Sequence, residues 1–403
     1  MTLLIIFSAI VLLILLIAWG KINAFLAFLM VSIVAGIWLG IPLNKVALSI
    51  QKGMGDTLGS LAIIIVLGAM LGKLVADSGA AQKISTVMMK TFGEKNIQWA
   101  LVITGFIIGI PLFYNVGFVL VVPIIFTVVY QYKLPAIYIG LPMLAALSVT
   151  FGFLPPHPAP TALAVQFNAS VGLTLLYGII VAIPAIIVAG PLFAKALKKI
   201  PSEPLKTFQS HEVPASKLPS TASSFMAALL PVILLMVTAV LPFLLPTDTR
   251  IVSLLSFLSE PAIVMLLALA VATWSLGTRR GMSMKDIMNS YGEAVKEVSL
   301  ILLIIGSAGA FKQVLIDSGV SLQIANQLND INIHPLILGW LIAATIRICV
   351  GSATVAGLTA GGIMAPVILQ ASVNPSLMVL SIGAGSLACS HVNDSGFWMF
   401  KEY

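Results

Sequence analysis

PAIYIGLPMLAALSVTFGFLPPHPAPTALAVQFNAS, residues 135–170, is apolar along most of its length, but three prolines crowd around a histidine, His157, in its middle. A helix needs ~20 apolar residues to cross a ~30 Å hydrocarbon layer. The stretch is too long for one crossing and too interrupted for two. Working outward, the rest of the chain is equally greasy. Of 403 residues 59% are hydrophobic and only 9% charged, where a soluble domain carries about 25%, and the mean hydropathy is +1.10. Runs such as 2–19 and 22–41 are each long enough to span a bilayer. Open strands cannot satisfy their backbone in lipid, so the expected fold class is an all-α polytopic membrane protein. The first run has no basic residue before it and is too long for a signal peptide, which makes it a retained first helix.

Further apolar segments cover roughly 57–76, 98–130, 172–193, 225–245, 261–277, 297–316, 334–371 and 376–400. A single long polar stretch, 195–224, is rich in Pro, Ser and Lys and reads as a linker. It separates an N-terminal half, 1–194, from a C-terminal half, 225–403. Its lysines place it in the cytoplasm by the positive-inside rule, and Arg279, Arg280 and Lys285 fall on the same side two helices later. This topology also accounts for the basic pI without nucleic acid, since no basic-aromatic groove is present. Asp77-Ser78-Gly79 aligns with Asp317-Ser318-Gly319, and each leads to a long, irregular apolar segment. Lys83, Lys90 and Lys95 follow the first triplet, whereas no Lys or Arg follows the second as far as 333. Equivalent loops thus lie on opposite faces. The expectation is an inverted repeat with broken or re-entrant helices, the architecture of secondary transporters.

Four breaks interrupt the apolar segments: GIPLFYNVGF (109–118), FGFLPPHPAPT (151–161), RICVGSATVAGLTAGG (347–362) and SHVNDSGF (390–397). Non-helical backbone at membrane depth persists only where protein or a water-filled cavity satisfies it. Half-helix N–H groups carry a positive dipole end and can hold a carboxylate. The candidate substrate-binding residues are Asn115, Gly117, His157, Thr161, Arg347, Gly351, Ser352, Thr354, His391 and Asn393. Asp394, the acid of the last break, is the candidate for proton coupling, because an ionisable group there is costly unless hydrated or paired. Each has a plainer reading: the histidines as structural donors, Arg347 as an internal pair or a snorkelling cation, Asp394 as a helix cap. Lys73, Lys312, Asp77 and Asp317 sit at segment ends and read as interfacial.

Several classes fall away. Gly53-Met54-Gly55-Asp56 spells GxGD, but no Tyr-Asp partner accompanies it, so an intramembrane aspartyl protease is not supported. No nucleophile elbow and no P-loop occur, and Cys349 and Cys389 cannot build a zinc quartet or disulfide framework. No metal or cofactor is expected.

Together LFYNVGFVLVVP, GFLPPHPAPTA, GSATVAGLTAGG and SHVNDSGFWMFKEY make the whole chain resemble the gluconate:proton symporter family, the GntP-type permeases of the ion-transporter superfamily. The resemblance implies a multi-pass bacterial inner-membrane carrier that imports gluconate or a related sugar acid with protons, within membrane lipid and as a possible homodimer. Three departures stand out. The first break usually reads LFYEVGF, and this chain has Asn115 in place of the glutamate. A histidine before the glycine and prolines is replaced by Phe151. The family continues past the position of Tyr403 into one more helix, so a truncated C-terminus is expected. D-serine, glycerate and other hydroxy-acid carriers share these motifs and remain alternatives. A membrane-embedded enzyme using His391 and Asp394, or a channel, would be the reading from another class.

Overall fold

The computed structural model describes residues 2–112, 133–202, 214–240, 260–319, 333–370 and 373–390, with isolated positions between 114 and 129 and at 257, 258 and 400. Every regular element among them is helical. In chain order they are α1 (Thr2–Ala18), α2 (Ala24–Trp38), α3 (Leu43–Asp77), α4 (Ala80–Phe92), α5 (Ile97–Gly109), α6 (Ala136–Phe153), α7 (Pro158–Gln166) and α8 (Val171–Ile187). There follow α9 (Thr221–Val240), α10 (Pro261–Ala272), α11 (Met284–Asp317), α12 (Pro335–Val350), α13 (Ala353–Gln370) and α14 (Pro375–Ser386). Five helical stretches are long and apolar enough to cross a membrane, counted among the described residues.

Local sequence explains the ends. Asn374 and His334 precede Pro375 and Pro335, and their side chains accept from backbone N–H groups two residues on. Proline at the first helical position loses no hydrogen bond there. Gly79 and Gly319 stop α3 and α11 in the left-handed region, at φ 77° and 71°, which glycine reaches without a Cβ penalty. Both helices exceed their apolar segments by starting earlier. In α3 the added turns bury Val46, Ser49 and Gly53, and in α11 Ile287, Ser290 and Ala294. These spacings of three and four residues are helical, a signal that hydropathy windows miss.

Cα packing separates two compact units. One comprises Met1–Ile63, Pro158–Thr174 and Val298–Trp398; the other comprises Ile64–His157, Leu175–Glu297 and Met399–Tyr403. The first and second parts of α3 and of α11 therefore belong to different units, and α7 belongs with the C-terminal helices. These packing units are a different division from the sequence halves 1–194 and 225–403. Residues 203–213 of the linker lie outside the described residues. Its start docks on α6 in the second unit: the N–H of Ala136 donates to the Ser202 carbonyl and that of Ile137 to Ser202 Oγ, both at 3.0 Å. Two of the helix's orphan donors are satisfied that way.

Within each unit, helices close on one another through glycines, as expected where lipid removes any hydrophobic drive and close backbone approach decides packing. In the second unit a Cβ on Gly105 would lie 2.5 Å from the Met143 carbonyl oxygen, fixing α5 against α6. In the first unit one on Gly385 would lie 2.3 Å from the Trp340 carbonyl oxygen, fixing α14 against α12. Phe28 and Phe311 fill the interior of the first unit, with ring centroids 6.5 Å apart.

Candidate functional site

The first break and the part of the second up to His157 meet inside the second unit. At the end of α5, a Cβ on Gly109 would sit 2.3 Å from Thr150 Oγ1 of α6, so only glycine fits. The His157 ring, almost fully buried, makes a 2.8 Å hydrogen bond from Nε2 to the Gly109 carbonyl oxygen. The nitrogen must carry the proton in that bond, since a carbonyl only accepts. The ring also stands edge-on to Phe151, with centroids 5.4 Å apart, and Phe151 faces Tyr114 at 6.2 Å. Gly117 lies against Leu147. His157 thus ties the middle of the second break to the first residue of the first. Gly72 of α3 abuts the first break: a Cβ there would lie 2.4 Å from the Pro111 carbonyl oxygen.

The third break lies in the first unit and is only two residues long. Gly351 adopts φ 77° and its N–H donates to the Arg347 carbonyl at 2.9 Å, ending α12. Ser352 Oγ then accepts from Val355 N–H at 3.3 Å, opening α13. Arg347, 4% exposed, hydrogen-bonds the Gly351 carbonyl through Nη1. The buried guanidinium thus hydrogen-bonds the backbone of the break itself. Thr354 is half-buried on the first turn of α13.

Against α13 rests α7, the helix that follows the prolines. Leu163 approaches Gly357 and Gly361, and a Cβ on Gly361 would lie 2.3 Å from Leu163 Cδ2. Thr161 is fully buried, and its Oγ1 has no hydrogen-bond partner; Gln166 Nε2, also buried, has none either. Asn115, His391, Asn393 and Asp394 lie outside the described residues, and so does SHVNDSGF beyond Ser390.

Two ionic features went unread in the sequence. In the second unit Lys73 Nζ stands 3.8 Å from Asp77, 3.6 Å from Glu293 and 3.6 Å from Glu297, while Ser290 donates to Asp77 at 2.6 Å. Arg280 donates to the Ser78 carbonyl at 2.8 Å and to the Lys217 carbonyl. In the first unit a cavity of about 230 Å³ is lined by Asp56, Thr57, Ser60, Gln166, Lys312 and Leu358, among others. Lys312 is half-buried there. Of these residues Lys73, Asp77 and Lys312 read as interfacial in the sequence, because hydropathy puts them at segment ends. The rarity of charge inside apolar helices was the signal that could have singled them out.

Long apolar helices, several of them interrupted, mark a multi-pass membrane protein. The fold is similar to the crystal structure of the YdaH transporter of Alcanivorax borkumensis, with a TM-score of 0.66 at 15% identity over 95% of this chain and 92% of that one. It is also similar to MtrF of Neisseria gonorrhoeae, described within a class of antimetabolite efflux pumps, with a TM-score of 0.61 at 16% identity over 89% and 77%. The chain belongs to the GntP family: the GntP family permease profile matches residues 1–403. It is 48% identical to the high-affinity gluconate transporter and 47% identical to the Gnt-II system L-idonate transporter, both of Escherichia coli K12. It is 45% identical to the gluconate permease of Bacillus subtilis 168. In all three, alignment covers the whole of this chain and 92% of the relative. The resemblance drawn from the motifs is thereby established, and the protein is a permease rather than an enzyme.

Proposed function

We propose that this permease imports gluconate, or a closely related sugar acid, together with protons across the bacterial inner membrane. Whole-chain identity of 45–48% to proteins named for gluconate carries the substrate reading. The broken helices support it chemically. The first N–H groups of α13, opened by Ser352, have no intrahelical partner and suit a carboxylate. Thr161, with its unpaired buried hydroxyl, suits one of the substrate's hydroxyls. The proposed binding set is Asn115, Gly117, His157, Thr161, Arg347, Gly351, Ser352, Thr354, His391 and Asn393, with Asp394 a carrier of protons. His157 and Arg347 act mainly by holding the breaks open, given their backbone bonds.

The proposal includes inverted repeats and alternating access, with two copies pairing in the membrane. In the register that lays Asp77 on Asp317, α3 and α11 are helices of 35 and 34 residues ending at the same triplet. That register also pairs the α5–α6 packing with the α12–α14 packing. L-Idonate is the second reading, favoured by the 47% relative named for it. Purified protein in liposomes should accumulate labelled gluconate when the outside is more acidic, and unlabelled L-idonate should compete if the second reading holds. Absence of saturable gluconate uptake, beside a working control carrier, would sink the substrate assignment; uptake indifferent to the pH gradient would sink symport.

A further inference from the structure

We propose that Asp56 and Lys312 form a charge-compensating pair that takes up one proton and one carboxylate together, so that the cavity they line in the first unit is the coupled substrate subsite. The inference rests on the sugar-acid permease reading and deepens it, placing the coupled proton on Asp56 instead of Asp394 and the carboxylate at Lys312 instead of at the α13 N–H groups. Asp56, exposed on α3, and Lys312, half-buried on α11, both line the cavity. No ion pair closes across the cavity among the described residues, so a small anion can stand between them. The cavity's ~230 Å³ is below the ~300–1,000 Å³ of pockets for drug-sized ligands, the right scale for a small metabolite. Thr57 and Ser60 add hydroxyls, and Gln166 brings a buried Nε2 without a partner. That is the mixture a carboxylate with a row of hydroxyls requires.

The opposing crossing sharpens the argument. In the register that lays Asp77 on Asp317, Lys73 falls on Gln313, and Glu293 and Glu297 fall on Gly53 and Thr57. In the second unit Lys73 meets both glutamates and Asp77. In the first unit the corresponding crossing is built from Gly53, Thr57 and Gly309: a Cβ on Gly53 would lie 2.4 Å from the Gly309 carbonyl oxygen, and one on Gly309 2.0 Å from Thr57 Oγ1. The first crossing is therefore filled by charged side chains paired with one another. The second is held together by close backbone approach and leaves its charges to a cavity.

Charge accounting then couples the two ligands. With Asp56 ionised and Lys312 charged, the empty cavity is neutral. With a proton on Asp56 and an anion beside Lys312, it is neutral again. A proton alone leaves +1 and an anion alone leaves −1, and burying either net charge during a conformational change is costly. Only the empty and doubly loaded forms cross readily. Among the described residues no other ionisable side chain lines the cavity, and Asp317 on α11 is held by Gln313 Nε2 at 2.8 Å.

The test uses the full chain in liposomes with labelled gluconate. In the wild type a pH gradient should drive accumulation, whereas an imposed potassium–valinomycin potential at equal pH should leave the initial rate unchanged, because one proton and one monovalent anion move without net charge. Half-saturation should weaken up to about tenfold per pH unit on the alkaline side, by linkage of proton to anion binding. Asp56→Asn should flatten that dependence and reduce net accumulation at least tenfold. Exchange of external for internal gluconate should persist, since an uncharged amide opposite Lys312 makes the cavity neutral only while the anion is bound. Lys312→Met should lose exchange at least tenfold while eluting as monodisperse protein, and Lys312→Arg should recover part of it. Accumulation by Asp56→Asn with wild-type pH dependence, loss of these traits only in Asp394→Asn, or a wild-type rate that follows membrane potential would each overturn the pair. Those results would leave gluconate transport intact as a finding, whereas failure of the wild type itself to take up gluconate would refute the permease's substrate reading instead.

Discussion

Replacing His157 by alanine leaves the Gly109 carbonyl buried without its donor. An unsatisfied buried acceptor costs about 1–3 kcal/mol, so His157→Ala should lower the thermal transition in detergent. His157→Gln, which can still donate, should recover part of the loss. Thr161 behaves oppositely. Its hydroxyl is buried without a partner, so Thr161→Val removes an unmet polar group at nearly constant volume. The empty protein should become no less stable while half-saturation by gluconate rises several-fold; uptake kinetics and melting curves on the same preparation check both. Histidine and prolines at 155–158 marked this region from sequence alone. What His157 bonds to was not legible there, because Gly109 is far away in the chain and only packing brings it near.

Elements carry their own predictions through their glycines. On α3, a Cβ at Gly72 would collide with the Pro111 carbonyl oxygen at 2.4 Å, whereas Gly59 has nothing within 4 Å. Gly72→Ala should destabilise by about 1–3 kcal/mol through overpacking. Gly59→Ala should stabilise by about 0.5–1 kcal/mol, the usual gain of alanine over glycine inside a helix. Thermal unfolding of the two variants side by side separates packing from propensity. The existence of α3 and α11 was readable from their apolar cores, but their first turns were not. Val46, Ser49 and Gly53 bury one face while Lys45 and Lys52 stay exposed, and a mean over a window erases that alternation. Of the break expected over 347–362, only Gly351 and Ser352 lie outside helix. Its compactness, a left-handed glycine followed directly by a serine cap, emerges only from the backbone angles.

For the whole molecule, the proposed inversion makes a topological prediction. After Cys349 and Cys389 are changed to serine, single cysteines at Lys90, exposed just after the first Asp-Ser-Gly, and at Ser318 should label from opposite sides with a membrane-impermeant maleimide. The site at 90 should react only in inside-out vesicles and the one at 318 only in right-side-out vesicles. Labelling of both from one side would remove the inverted repeat, whatever the similarity of the two Asp-Ser-Gly turns.

The cost of exposing charge or unpaired backbone to lipid was sufficient to settle an all-helical membrane protein with interrupted helices, and the resemblance of its motifs to known permeases pointed to the family. Those costs are local, so they can be read residue by residue. Tertiary structure alone decided that His157 and Arg347 serve backbone carbonyls, that α7 packs with α13, and that Asp56 and Lys312 line one cavity. These pairings join residues distant in sequence, and nothing in the composition of either partner specifies the other until the helices are packed.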